Sequence, residues 1–229
     1  MNPDRTDYPY TVAAAPDYGL VNVTIPQGRT LRVEASAMAY MDSTLSMKTK
    51  MRGGFKRMLS GEKLFINEFT AADRSAEIGI APGTPGDVAH LYLENETVFL
   101  QNSSYLASSP DLDVAAEFQG FKGFFSGEKL FMVRCSGSGD LWFNTFGALL
   151  EIDVTDNYVV DTGHIVAFTD GLSYDVRSVA GLKSLFFSGE GLVCRFSGSG
   201  KVWIQTRKSM PFVVWADQYR RVQKKNDNN

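Results

Sequence analysis

Histidine and cysteine are scarce in this 229-residue chain, with only His90, His164, Cys135 and Cys194. A metal site on a β-scaffold needs clustered imidazoles with carboxylate support, so two isolated histidines form an incomplete ligand set. Two cysteines outside any CxxC spacing exclude a disulfide framework and suit a reducing compartment; each reads as a small buried hydrophobe. Long apolar runs are missing too, since nothing approaches the roughly 18 residues that a membrane-spanning helix requires. The opening MNPDRTDYPY has no basic region followed by an apolar one, so no secretory leader is read there. Nor does charge of one sign dominate. Lys+Arg number 23 against 26 Asp+Glu, for a formal net charge of -3, which provides no global attraction for nucleic acid or anionic lipid. The expectation is a cytoplasmic protein, soluble or at most associated with a membrane periphery, with no cofactor or metal implied.

What the chain does have is repetition. GFKGFFSGEKLFMVRCSGSGDLWFNT at 120–145 lies ungapped over GLKSLFFSGEGLVCRFSGSGKVWIQT at 181–206, in a constant register of 61 residues. A more diverged copy, GGFKRMLSGEKLFINEF, begins at Gly53 and lacks SGSG. The triplet SGE therefore occurs at Ser60, Gly61 and Glu62, at Ser126, Gly127 and Glu128, and at Ser188, Gly189 and Glu190. Its last copy is one residue out of register while both flanks stay aligned, a slip that a loop absorbs and a strand interior does not. Upstream of each copy, VNVTIPQGRTLRVEA (21–35), AHLYLENETVFLQN (89–102) and LLEIDVTDNYVVDT (149–162) alternate apolar and polar residues. Turn residues interrupt each run: Pro26 to Gly28, Glu94 to Glu96, and Asp156 with Asn157. The units run over 18–83, 84–147 and 148–212, after an extension at 1–17 and before a tail at 213–229 that starts as a short helix and ends disordered.

Period-2 alternation with frequent turns predicts an all-β fold. A unit of this size cannot close a core alone, so the three are expected to pack around a pseudo-threefold axis as one domain. Short helical turns are expected where Phe55, Met58 and Leu59 lead into Gly61, and at their counterparts. The pattern GFKGFFSGEKLFMV, with GLKSLFFSGEGL and the SGSG that follows, resembles the conserved bacterial and archaeal family related to the yeast altered-inheritance-of-mitochondria protein twenty-four. The resemblance covers about Tyr18 to Trp215. It implies a β-sandwich like that of the tryptophan RNA-binding attenuation protein, and a role near mitochondrial biogenesis or membrane organisation in the yeast relative. It implies no established activity.

The chemical candidates reduce to architecture. No histidine recurs beside the SGE serines, so a nucleophile lacks its base; the triplet reads as a turn, with Gly at positive φ and Ser bonding local backbone. SGSG is followed by a β-type strand and no GK[ST], which favours a tight hairpin over a phosphate loop. The apolar residues before SGE are Phe55, Met58, Leu59, Phe121, Lys122, Phe124, Phe125, Leu182, Leu185, Phe186 and Phe187. They read either as core plugs or as a membrane or partner contact, with lysine meeting phosphate. The leading expectation is a non-enzymatic homo-oligomeric scaffold or binding protein. A single-stranded RNA-binding ring is the second reading, weakened by the absence of a basic run before Arg220, and a small-molecule-binding β protein or enzyme is the third.

Overall fold

The computed structural model describes residues 1, 4–51, 65–117, 132–178 and 192–220. In the first third, β1 (Tyr10–Ala13), β2 (Leu20–Ile25), β3 (Thr30–Glu34), β4 (Met38–Met41), β5 (Leu45–Met51), β6 (Phe65–Ala71) and β7 (Ala76–Ile80) follow one another. The middle third holds β8 (Val88–Gln101), β9 (Tyr105–Ser108), β10 (Asp113–Glu117) and β11 (Met132–Asn144). The last third holds β12 (Leu149–Val154), β13 (Tyr158–Asp161), β14 (Ile165–Thr169), β15 (Ser173–Ser178), β16 (Leu192–Ser197) and β17 (Gly200–Gln205), then the helix α1 (Ser209–Asp217). Single turns of 3-10 helix at Asn102–Ser104 and Thr162–His164 complete an all-β protein.

Alternation makes these strands. In β2, LVNVTI buries Val21, Val23 and Ile25 while the residues between them stay half-covered, as expected when one face meets a core. Within the thirds the pairings recur. β2 pairs β7, β8 pairs β11 and β12 pairs β17, while β3 pairs β6 and β13 pairs β16. Likewise β4, β9 and β14 pair β7, β11 and β17, and β5, β10 and β15 pair β6, β11 and β16. Between thirds, β3 pairs β9 and β14 pairs β8, which joins strands of all three into one ten-stranded sheet. The core lies in three clusters centred on Trp142, on Trp203 with Phe143, and on Phe168 with Phe196.

Several expectations change. Residues 1–17 are no mere extension, because Tyr8 is fully buried and β1 pairs β2. The Tyr8 hydroxyl donates to the Thr30 carbonyl at 2.7 Å, so the segment is tied down by both packing and hydrogen bonding. Glu94 to Glu96 is not a hairpin turn; β8 runs through it, with Asn95 at φ 57 as the extra residue of a bulge opposite Gly137 and Ser138 of the continuous partner β11. The first SGSG lies inside β11, where Gly137 and Gly139 take positive φ at that bulge. The second, at 197–200, is a corner between β16 and β17, which lie in different sheets. In neither place is it a hairpin, since a glycine-tolerated bulge can re-aim a strand without reversing it. The C-terminal helix starts at Ser209, before the expected 213, because Pro211 fits a first turn whose N–H groups have no intrahelical acceptor.

Candidate functional site

Every residue singled out from sequence as a contact or SGE turn falls in 52–64, 118–131 or 179–191, outside the described residues. The described chain presents two polar constellations that sequence reading missed.

The first surrounds Asp140, a fully buried carboxylate on β11 close to the bulge between β8 and β11. Its Oδ1 lies 2.8 Å from His90 Nε2 and 2.6 Å from the Thr6 hydroxyl, and its Oδ2 accepts from the Asp7 N–H at 3.1 Å. His90 is enclosed by the rings of Tyr10 and Trp142, with centroids at 4.7 and 4.9 Å. A carboxylate holding an imidazole suggests hydrolytic machinery. Here, however, His90 Nδ1 is buried without a hydrogen-bond partner among the described residues, so no hydroxyl or thiol stands ready on the base. The arrangement instead clamps the N-terminal segment over the sheet, since both a backbone N–H and a hydroxyl of that segment end on Asp140. The other histidine, His164, sits in a 3-10 turn with Nδ1 2.6 Å from the Gln205 carbonyl. Among the described residues no three His, Cys, Asp or Glu side chains gather as a metal group. Cys135 and Cys194 are both buried, and burial pushes the Cys194 thiol up to about 12 and Cys135 up as well.

The second constellation is a cleft of about 270 Å³ where the first and second thirds meet, lined by residues 34–37, Gly83, Thr84, Ser103 and Asn144. The chain next to Thr84 and Asn144 is tightly stitched. The Gly147 N–H donates to the Pro85 carbonyl at 2.9 Å and the Thr145 N–H to Asp87 at 3.0 Å, while Gly86 bridges Gly147. A Cβ at Gly86 would strike the Thr145 carbonyl oxygen, so this crossing requires glycine. On one wall, β3 ends at Glu34 and the chain turns back, the Ala37 N–H reaching the Glu34 carbonyl at 3.2 Å. The turn forces Ser36 to φ 77, a strain of about 1 kcal/mol or more for a residue other than glycine. Burial alone raises the Glu34 carboxyl from its ordinary value to about 7. A carboxylate perturbed by desolvation inside a cleft is a recognised mark of a functional site. The sequence signal that could have found it is the comparison of copies: Asn144 aligns with Gln205 in the 61-residue register, a difference of one methylene at a shared position.

Known proteins resemble the chain along nearly its whole length. An uncharacterized protein of Streptococcus pyogenes serotype M6 is 27% identical over 224 residues, spanning 92% of this chain and 90% of the relative. The crystal structure of a Streptococcus pyogenes protein, solved by structural genomics, superposes with a TM-score of 0.79 at 26% identity, covering 93% of this chain and 100% of that one. Residues 10–207 match the family described as mitochondrial biogenesis AIM24, and the chain belongs to that family.

Proposed function

We propose that the protein is a non-enzymatic homo-oligomeric scaffold whose copies join head to tail through β4 and β13. One observation carries this reading. The first third meets the second by pairing β3 with β9, and the second meets the third by pairing β8 with β14. By the recurring order of strands, the corresponding pair between last and first thirds is β13 with β4, yet each of these ends its own sheet with one edge unpaired among the described strands. Both edges are apolar and uncovered: Tyr40 is 46% exposed beside Met38 and Met41, and Val159 is 52% exposed beside Tyr158. Uncovered apolar edges template pairing with another chain. A head-to-tail contact of unlike surfaces closes into a ring or grows open.

The test is light scattering coupled to size exclusion, comparing wild type with Val159→Lys. A charge at this exposed edge should reduce the assembly to single chains with no loss of thermal stability. A wild type that is monomeric at tens of micromolar, or a variant with the mass of wild type, would overturn the reading.

A second reading, peripheral membrane contact, is favoured by α1. Met210, Phe212, Val213, Val214, Trp215 and the following Tyr219 are all at least half exposed, and the sequence then becomes basic as RRVQKK.

A further inference from the structure

One side chain of the cleft has a counterpart in the chain that meets its partners fully. Asn144 and Gln205 hold the same place in two copies of the repeat. Gln205 satisfies both ends of its amide: Oε1 accepts from the Phe146 N–H at 2.9 Å and Nε2 donates to the Gly163 carbonyl at 3.1 Å. Asn144, one methylene shorter, reaches Thr84 Oγ1 at 3.1 Å with its Nδ2, and its buried Oδ1 has no partner among the described residues. Thr84 fixes that orientation of the amide. Its one hydroxyl hydrogen points to the Thr145 carbonyl at 3.2 Å, so its oxygen is left to accept from Asn144. A buried acceptor left unmet is costly, and the longer side chain at the sister position shows how a scaffold avoids it.

Glu34 supplies a second unmet acceptor. No cation among the described residues pairs with its carboxyl, and among the described residues it is the one titratable group lining the cleft. The nearest charge on its own strand, Arg32, is committed to Glu68 Oε1 at 3.3 Å and the Leu112 carbonyl at 3.0 Å. Across β6 the register row runs from Glu34 through Ile66 to Lys50, while β9 brings Ala107 and Ser108 alongside β3. A cleft with an unpaired carboxylate, an orphan amide oxygen and the hydroxyls of Ser36 and Ser103 is rich in acceptors. It repels carboxylates and phosphates. Its volume of about 270 Å³ is room for about nine waters, too large for a bare metal ion to span.

We propose that this cleft binds a small primary-ammonium compound, the NH3⁺ donating to the Glu34 carboxylate and to Asn144 Oδ1, with the carbon body along Ala35 and Ala37. Three donors on one cationic nitrogen match three kinds of acceptor, and charge-assisted bonds of this sort are the strong ones.

The proposal is tested by titrating the isotope-labelled full-length protein with n-butylammonium chloride and following amide resonances by NMR at pH 8. Saturable shifts are expected at residues 34–37, Gly83, Thr84, Ser103 and the Asn144 side-chain amide. Glu34→Gln should weaken binding at least tenfold. Lowering the pH to 5.5 should weaken it by about thirtyfold, because protons compete for a carboxylate that titrates near 7. Asn144→Asp, which adds a second carboxylate in place of the orphan amide, should tighten binding of the cation without creating any affinity for n-butanol. n-Butanol and sodium chloride at the same concentrations should give no saturable shift. The proposal is overturned if butylammonium gives none either, if Glu34→Gln binds as wild type does, or if butanol binds equally well.

Discussion

Glu34 shows how one residue can oppose the fold it belongs to. Its carboxyl keeps its proton to about pH 7 in the folded protein but releases it near 4.5 in the unfolded chain. Between those values the folded state holds more protons, so stability is greatest below about 4.5, falls as pH rises to about 7, and is flat above. Glu34→Gln should remove that slope and leave the protein more stable than wild type at pH 8 by about 2 kcal/mol, discounted from the full shift because the group is only partly buried. Urea denaturation of both proteins at pH 5 and pH 8 measures this; equal slopes would assign the pH dependence to another group. Nothing about Glu34 in TLRVEASA announces its burial. The strand predicts which face Arg32 and Glu34 share, but the covering wall comes from Gly83, Thr84, Ser103 and Asn144, far away in sequence. Asp140 is similar: its partners Thr6 and His90 lie 134 and 50 residues away.

At the scale of elements, α1 stands out because it breaks the usual rule for helices. A helix apolar on all sides is normally enclosed, yet α1 buries no residue, touching the body where Phe212 meets Phe146 edge-on at 5.5 Å. Phe212, Trp215 and Tyr219 then form a ring ladder with centroids 5.9 and 5.4 Å apart. If α1 serves as a membrane contact, Val214→Ser with Trp215→Ser removes about 3 kcal/mol of interfacial burial, roughly a hundredfold in partition. Sedimentation with phosphatidylserine-containing vesicles reads that change, and the melting temperature should stay fixed because both side chains are exposed. Equal sedimentation of the two proteins would assign α1 elsewhere. The helix itself was legible from FVVWAD; its start was not, since Pro211 is as compatible with a helix's first turn as with a break before one.

For the whole molecule, the joined sheet decides how the thirds behave. Because the ten-stranded sheet takes strands from all three, none can melt without stripping a neighbour of backbone partners. Calorimetry should therefore show one transition, with calorimetric and van't Hoff enthalpies equal; resolved transitions would mean that the thirds fold separately. The sequence by itself determined the β class, through period-2 alternation of apolar and polar residues. It also pointed to Cys135 and Cys194 as interior, as both are, because a free cysteine behaves as a small hydrophobe. Only the tertiary structure decided that SGSG closes no hairpin, that Tyr8 and β1 pack onto the core, and that Gln205 meets both its partners where Asn144 leaves one amide oxygen unmet among the described residues. The physical reason is common to all three. Hydrophobic alternation is a local property of the chain, whereas a bulge, a buried carboxylate or a cleft exists only where residues distant in sequence are brought to the same place.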